Sequence, residues 1–276
     1  MYLTLLYKHQ KQKNAIQLLH KHNFYNYNIN YIKHLKKVVY TALLGEYDNI
    51  NTIKKEDGYD YFIFTDQILK NNSNNWTILN INEMKHLNIN IIKRQRFFKT
   101  HPHLFFKNYD LSIYVDTSIV IKGKLDEFIL RILTPKLSIY ILEHPRRNTI
   151  NNEFQAVIDL KKDTKMNVNK VRQKYNKLKF PDNNGLAECC LIIRKHNNLN
   201  CINFMNKWFE EIVNNSHRDQ LSFNFILWKN GNKEVKYISK EVFYQYFKYM
   251  GHKKKLNLSE IENYNVKIVY KLEKKK

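Results

Sequence analysis

Residues 111 to 121, LSIYVDTSIVI, most constrain the fold, because an apolar and β-branched run ends in a carboxylate. A strand that is buried on both faces reads as a continuous apolar run. In open α/β sheets, ligands bind outside the carboxyl ends of such strands. The run therefore predicts a central buried strand that presents Asp116, and then Ser118, to a ligand. The alternative is that Asp116 only caps the following turn, as short polar side chains often do.

Apolar runs alternate with helical patterns along most of the chain, which predicts an α/β layered sheet in a single domain. Other strands are predicted at residues 38–45, 59–66, 76–81, 137–144 and 188–195, and helices at the start of 92–107 and at 125–133, 151–163, 165–177 and 198–214, with a further one after HRDQLSFNFILWK, residues 217–229. Asn residues are expected to cap the helix at 151–163. Residues 1–37 are interpreted as a basic extension, 38–250 as the domain and 251–276 as a basic tail.

The formal net charge of +22 raises nucleic acid as a partner, because clustered Lys and Arg side chains neutralise phosphates. Lysine is, however, spread along the whole chain together with abundant Asn and Ile, which is the residue usage of AT-rich genomes. We therefore expect nucleic acid to bind only non-specifically. A basic surface also favours a negatively charged substrate through long-range attraction.

The three cysteines, Cys189, Cys190 and Cys201, form neither a CxxC pair nor an even-numbered disulfide framework, so they are predicted to be buried thiols. The amino-terminal residues contain too few apolar side chains for a secretory signal, and no window is apolar over the roughly 20 residues that a membrane span requires. The sequence therefore predicts a soluble, cytoplasmic protein that is not secreted.

Four further segments place charged groups at strand ends or helix starts. They are GEYD with Asp48, the pair Arg96 and Lys99, HPRR with Arg146 and Arg147 followed by Glu153, and HRDQ with Arg218, Asp219 and Gln220. Arg96 and Lys99 lie one helical turn apart, so both can address one phosphate or carboxylate, although a solvated helix face has the same spacing. The arginines of HPRR suit an anionic group or a structural pair with Glu153. Asp219 is equally suited to capping a helix.

The order and spacing of VVYTALLGEYD, DYFIFTD, RFFKTHPHLF, YDLSIYVDTSI, EHPRRNTI, NNGLAECCLIIRKHN and SHRDQLSF resemble the DUF616 family of glycosyltransferase-like proteins, whose plant members form the TOD1/MUCI70 group. The resemblance covers about residues 38 to 228. HPRR, the VDTS strand end and RDQLSF are specific to the family only in combination.

The resemblance implies a GT-A-like fold, a Rossmann-type mixed sheet flanked by helices, and transfer of a sugar from a nucleotide-diphosphate donor to a hydroxyl acceptor. It implies that Tyr40, Thr41, Asp48 and Asp66 line the nucleotide, that Arg96, Lys99, Arg146, Arg147 and Arg218 address the donor, and that Asp219, Gln220 and Glu188 contact the sugar or act in catalysis.

Such transferases end one strand in an Asp-any-Asp motif that holds a divalent cation on the donor diphosphate. Asp116-Thr117-Ser118 occupies that position, which implies Mn²⁺ or Mg²⁺ at Asp116 and Ser118, but the second carboxylate is missing. Nearby cations such as Arg96 and Lys99 are then expected to replace part of the metal's charge. Two other function classes stay open: a nucleic-acid-binding protein, and a degenerate transferase fold that serves as a sugar-nucleotide-binding scaffold.

Overall fold

The computed structural model describes residues 29–45, 52–67, 75–81, 89–231 and 235–250. In chain order, the elements are α1 (described over 29–34), β1 (Lys37–Leu43), β2 (Tyr59–Thr65), β3 (Thr77–Asn80), α2 (Ile91–Thr100), α3 (Pro102–Phe105), β4 (Leu111–Val115), β5 (Ile119–Ile121), α4 (Leu125–Ile132), β6 (Ile139–Glu143), α5 (Ile150–Asp159), α6 (Lys165–Lys177), β7 (Ala187–Arg194), α7 (Leu199–Asn214), α8 (Asp219–Lys229), β8 (Val235–Ile238), α9 (Lys240–Tyr246) and β9 (Phe247–Tyr249).

A seven-stranded mixed sheet with the order β3-β2-β1-β4-β7-β6-β8 forms the centre of the fold. Strands β3, β2, β1 and β4 are parallel, β7 is antiparallel to both β4 and β6, and β8 is parallel to β6. The carboxyl ends of β1, β2, β4 and β6 therefore meet the amino end of β7 at one edge of the sheet, which we call the carboxyl edge. The mixed α/β sheet flanked by helices confirms the predicted fold class.

Strand β1 is buried along its whole length because side chains cover both faces of the sheet. Successive side chains of a strand point to opposite faces. Val38 and Tyr40 accordingly belong to the core cluster that includes Phe154 and Trp208, whereas Val39 belongs to the cluster on the other face that includes Phe128. This arrangement explains why the central strands have continuous apolar runs rather than alternating ones.

The predicted strand at residues 111–121 is two strands. Strand β4 ends at Val115, and a turn closed by a hydrogen bond from the Ile119 amide to the Asp116 carbonyl leads into β5. Strand β5 leaves the main sheet and pairs antiparallel with β9. Close packing supports this two-stranded sheet, since a Cβ atom at Gly123 would lie 2.7 Å from the Tyr246 ring. The second sheet brings Tyr249, in β9, beside the end of β4.

Helix boundaries differ from the sequence prediction in three places. The helix predicted after residues 217–229 begins earlier, because α8 spans Asp219–Lys229 and packs its apolar side chains into the core. Thr149, rather than an Asn residue, caps α5 through a hydrogen bond from the Asn152 amide to its hydroxyl. The region around Pro102 forms two helices, because Pro102 has no amide proton to continue α2 and instead begins α3. The predicted cysteines are confirmed as buried free thiols. Over the described ranges, no helix is long and apolar enough to cross a membrane.

Candidate active site

Asp116 lies at the carboxyl edge, immediately after β4. Its amide donates to the Cys190 carbonyl of β7 at 2.9 Å, which fixes the backbone at the strand end. Its carboxylate accepts a hydrogen bond from the Tyr114 hydroxyl at 2.7 Å and lies 3.4 Å from the Lys99 ammonium. The side chain is 24% exposed, so Asp116 combines fixed geometry with access from solvent.

Lys99 is the cation at the centre of this edge. Its side chain is 1% exposed, and its ammonium lies 2.6 Å from Asp219 and over the Tyr114 ring. Burial alone would lower the pKa of Lys99, but the carboxylates of Asp116 and Asp219 outweigh it and raise that pKa. The ammonium therefore stays charged, and the solvated helix face that the spacing also allowed is excluded.

Asp219 is the first residue of α8 and is buried among three cations. Arg96 Nε lies 3.4 Å from its carboxylate, on the same carboxylate oxygen that Lys99 contacts. Burial would raise the pKa of Asp219, but Arg96, Lys99 and Arg218 hold it well below its usual value. Asp219 is therefore a permanently ionised group with low basicity. Gln220, also buried, accepts a hydrogen bond from Arg218 at 2.6 Å.

Glu188 lies at the amino end of β7, two residues along the strand from Cys190. Its side chain is 24% exposed, and one carboxylate oxygen lies 3.4 Å from His144 Nε2. Burial raises the pKa of Glu188 to about 7; Arg218 opposes this shift, and the neighbouring carboxylates of Asp116 and Asp219 support it. Glu188 therefore has the accessibility and the basicity that Asp219 lacks.

His144 follows β6, and donors face both of its ring nitrogens. Its Nδ1 accepts hydrogen bonds from the amides of Arg146 and Arg147, at 3.2 and 2.9 Å. Its Nε2 lies 2.9 Å from Arg147 Nη2, 3.4 Å from the Glu188 carboxylate and 3.8 Å from the Glu153 carboxylate. Burial and the guanidinium groups of Arg147, Arg146 and Arg218 lower the pKa of His144 to about 4, so the ring is neutral at pH 7.

The two arginines of HPRR have different surroundings. Arg147 donates from Nε to the buried Glu153 carboxylate at 2.6 Å, and its Nη2 lies 2.9 Å from His144 Nε2, so it forms the structural pair that the sequence left open. Arg146 is exposed at the same strand end. Of these two arginines, Arg146 is the more exposed, and the Arg147 side chain is 25% exposed.

Thr41 and Tyr40 lie on opposite faces of β1, so the structure does not bring them together. Thr41 lines a narrow cavity of about 20 Å³, room for one water molecule. Its other lining groups are Thr52, Ile53, Ile63, Trp76, Val115, Asp116, Thr117, Ile119, Val120 and Ile121. The Thr41 hydroxyl is buried and, among the described residues, has no hydrogen-bond partner. Tyr40 is instead fully buried in the core, where its hydroxyl donates to the Lys99 carbonyl and accepts from Arg194.

Asp66 and Ser118 stabilise loops at the carboxyl edge. The Asp66 carboxylate accepts the Gly45 amide with both oxygens, at 3.0 and 3.1 Å, and Gly45 has a positive φ of 74° that favours glycine. The Ser118 carbonyl accepts the Met250 amide, and its hydroxyl is hydrogen-bonded to Tyr249. Asp48, predicted to contact the nucleotide, lies outside the described residues.

The described residues fit a divalent cation poorly. They contain no group of three His, Cys, Asp or Glu side chains that could hold a metal ion. Asp116 supplies one carboxylate, which already accepts from Tyr114 and faces the Lys99 ammonium. The Ser118 side chain is only 2% exposed. A cation at Asp116 stays a prediction from the family resemblance.

Sequence reasoning missed His144 and Tyr249. His144 is part of the HPRR motif, whose arginines drew attention because of their charge, yet its ring is the group that faces Glu188. Its position directly after a buried strand was the signal that could have identified it. Tyr249 comes from a strand of three residues that has no periodic pattern, and only the pairing of β9 with β5 brings it near Asp116 and Glu188.

The family model described as TOD1/MUCI70, glycosyltransferase-like domain, matches residues 20–252. No curated protein matches the chain. One similar solved structure is the apo form of the WbbM bifunctional glycosyltransferase, with 10% sequence identity and a TM-score of 0.46, covering 74% of this chain and 39% of that one. Another is a glycosyltransferase involved in the glycosylation of the major capsid of PBCV-1, with 7% identity and a TM-score of 0.41, covering 82% of this chain and 97% of that one.

Proposed function

Because the chain belongs to the TOD1/MUCI70 glycosyltransferase-like family, we propose that its carboxyl edge transfers a sugar from a nucleotide-diphosphate donor to a hydroxyl acceptor. The observation that carries this proposal is that the accessible Glu188 lies beside His144 and close to Arg96, Lys99 and Arg218, the cations around Asp219. Glu188 can accept a proton, and the cations can stabilise a departing anion. Glycosyl transfer to a hydroxyl can use both functions.

Glu188 is the general base of the proposed reaction. An acceptor hydroxyl must lose a proton as it attacks the anomeric carbon, and a base works best when its pKa lies near the working pH. The pKa of about 7 that burial gives Glu188 meets this condition. The His144 ring lies beside this carboxylate, with Nε2 at 3.4 Å, and limits the directions in which the carboxylate can turn.

Asp219 has a positioning role in this proposal, because a buried carboxylate with a depressed pKa is a poor base. It holds Lys99 and Arg96 beneath the site, where Lys99 also faces Asp116. Fixed cations near the departing diphosphate stabilise the charge that develops on it, at no cost of reorganisation. Arg146 and the half-buried Arg218 are the cations that can contact the phosphates directly.

The nucleoside is assigned to the cavity between Thr41 and Trp76. Nucleobases stack on aromatic side chains, and an unpartnered buried hydroxyl gains a hydrogen bond when a polar ligand group reaches it. A cavity of about 20 Å³ is too small for a nucleobase, so the base enters by displacing Trp76. Binding should therefore change the fluorescence of Trp76.

We propose that the domain is GT-A-like, with the donor lying across the carboxyl ends of β1, β2 and β4. Family membership and the position of Asp116 at the end of β4 support this arrangement. No chemical step is assigned to a divalent cation, because the described residues offer it one carboxylate.

Thermal unfolding tests donor binding. The purified protein is heated with each nucleoside diphosphate and with its sugar conjugates, in Mg²⁺, Mn²⁺ or EDTA. A ligand at 100 times its Kd stabilises the native state by about 2.7 kcal/mol, so one nucleotide class should raise the midpoint clearly. No rise with any nucleotide would contradict the proposed function. A rise without sugar transfer to any acceptor or to water would indicate the scaffold alternative.

A further inference from the structure

The surface formed by α6 and its flanking loops carries exposed lysines along its whole length. Lys161, Lys162, Lys165, Lys170, Lys177 and Lys179 are exposed there. The single acidic residue between positions 160 and 180 is Asp163, which is 3% exposed and paired with Ser216 and His217. We call these six lysines the α6 basic surface. Their charge favours an anionic partner.

Apolar side chains lie within the same segment. Met166 is 78% exposed, Leu160 is 61% exposed and Leu178 is 44% exposed, although α6 has buried Val168, Val171 and Tyr175 for packing against the core. Exposed aliphatic side chains among lysines cost solubility and add nothing to phosphate contacts. They gain free energy when they enter the boundary between lipid headgroups and acyl chains.

We propose that the α6 basic surface binds an anionic lipid bilayer peripherally. Lysines near a negatively charged leaflet are attracted to it, and Leu160 and Met166 supply the apolar contact. Single-stranded nucleic acids are bound by aromatic rings on which bases stack, whereas the exposed apolar side chains of the segment itself, Leu160, Met166 and Leu178, are aliphatic. The exposed aromatic beside the segment is Trp228, which packs on Phe180. A bilayer is therefore the partner that the segment fits better.

The α6 basic surface is joined to the carboxyl edge by direct contacts. The Lys162 carbonyl lies 2.9 Å from His217 Nε2, and Asp163 accepts a hydrogen bond from the Ser216 hydroxyl. Ser216 and His217 belong to the loop that leads into Asp219 at the start of α8. A bilayer held at α6 would therefore lie beside the entrance to the proposed active site, where acceptors displayed on that bilayer can reach it.

Co-sedimentation with vesicles tests this proposal, and it needs neither a donor nor turnover. The full chain is mixed at physiological ionic strength with vesicles of phosphatidylcholine alone or of phosphatidylcholine with phosphatidylserine. We expect sedimentation only with phosphatidylserine. The triple variant Lys161→Glu, Lys165→Glu, Lys170→Glu should bind at least about tenfold more weakly, since each lysine near an anionic surface contributes roughly a fivefold factor.

A matched control separates local from overall charge. Lys33→Glu, Lys36→Glu and Lys107→Glu change the net charge by the same amount at exposed positions on the opposite edge of the sheet. This variant should lose less than about twofold in affinity for the vesicles, because charges farther than a Debye length from the bilayer are screened. A loss equal to that of the α6 variant would overturn the proposal and assign binding to net charge alone.

A charge-neutral variant distinguishes a bilayer from other polyanions. Leu160→Gln with Met166→Gln keeps every lysine, and we expect it to weaken vesicle binding severalfold while leaving binding to a random RNA unchanged. Full vesicle binding by this variant would contradict apolar insertion, and preference of the wild type for RNA over vesicles would contradict the lipid partner. The unfolding midpoint of each variant confirms that it folds.

Discussion

The Lys99 ammonium lies 2.6 Å from the Asp219 carboxylate, and both side chains are almost completely buried. Removing one partner of a buried pair typically costs about 3–5 kcal/mol, and in the Lys99 variant Arg96 and Arg218 compensate only part of the Asp219 charge. Lys99→Met should therefore lower the free energy of unfolding by about that amount, as measured by urea denaturation.

A more exposed pair provides the comparison for that prediction. Lys174 contacts Glu211 at the same distance of 2.6 Å, but the lysine side chain is 33% exposed, whereas that of Glu211 is 8% exposed. Solvent reaches the lysine and screens the pair in part, so Lys174→Met should cost less than Lys99→Met, about 1–2 kcal/mol. Equal losses for the two variants would show that the Lys99 pair is not the buried centre of the site.

Thr41→Val tests the assignment of the nucleoside to the cavity beside Thr41. Valine keeps the shape of threonine and removes a hydroxyl that has no partner among the described residues, so stability should stay the same or rise slightly. Nucleotide binding should fall about tenfold, because the ligand loses that hydrogen bond. Calorimetric titration with the diphosphate identified by thermal unfolding measures the affinity. Unchanged affinity would place the nucleotide elsewhere.

Trp76→Ala should weaken binding of the same diphosphate by a factor of about ten, which is typical for the loss of one base–aromatic stacking contact. The quenching of tryptophan fluorescence on binding should disappear with it. Trp228→Ala, which removes a partly exposed tryptophan on α8, should keep both signals. If the Trp228 variant behaved like the Trp76 variant, the fluorescence change would not report on the cavity.

The pH dependence of the free energy of unfolding should reveal the raised pKa of Glu188. Its folded pKa of about 7 lies above its ordinary value of 4.5, so the folded state binds the proton more tightly than the unfolded state. The stabilisation is complete below pH 4.5 and is lost as the pH rises through 7. Over that window the wild type should lose about 3 kcal/mol relative to Glu188→Gln. Parallel pH profiles for the two proteins would contradict the raised pKa.

Chelation with EDTA tests whether binding of the diphosphate needs a divalent cation. With one carboxylate available at Asp116, the described residues offer a cation little besides the donor's own phosphates. Binding of the diphosphate should therefore persist in EDTA within about threefold, a difference of less than 1 kcal/mol. Complete loss in EDTA, restored by Mn²⁺ or Mg²⁺, would show that Asp116 holds a metal in spite of the missing second carboxylate.

The strands were predictable from the sequence because burial on both faces of the sheet imposes apolar runs, as in β1 and β4. Alternation along β1 could also have separated Tyr40 from Thr41, since neighbouring residues of a strand face opposite sides. The approach of His144 to Glu188 was not predictable. It depends on the pairing of β6 with β7, where the register shifts between Ile141 and Leu142, and such long-range pairing leaves no local pattern.

The burial of Lys99 and Arg96 could not be predicted from the sequence either. Their spacing on α2 is equally compatible with binding a ligand, with a solvated helix face and with a buried network of ion pairs. The structure selects the network because α8 begins at Asp219 directly opposite α2. Whether a charged residue meets solvent or another charge depends on the packing of distant elements, which spacing within one helix does not encode.

The most direct test of the account is release of the nucleoside diphosphate from its sugar conjugate by the wild type and by Glu188→Gln, with acceptor hydroxyls supplied. Both proteins should bind the diphosphate equally, because Glu188 contacts the acceptor side in our assignment. The wild type should turn over, with a rate that rises with pH through about 7, and the variant should be slower by about 10²–10⁴-fold. Equal turnover by the two proteins would contradict the assignment of Glu188 as the base.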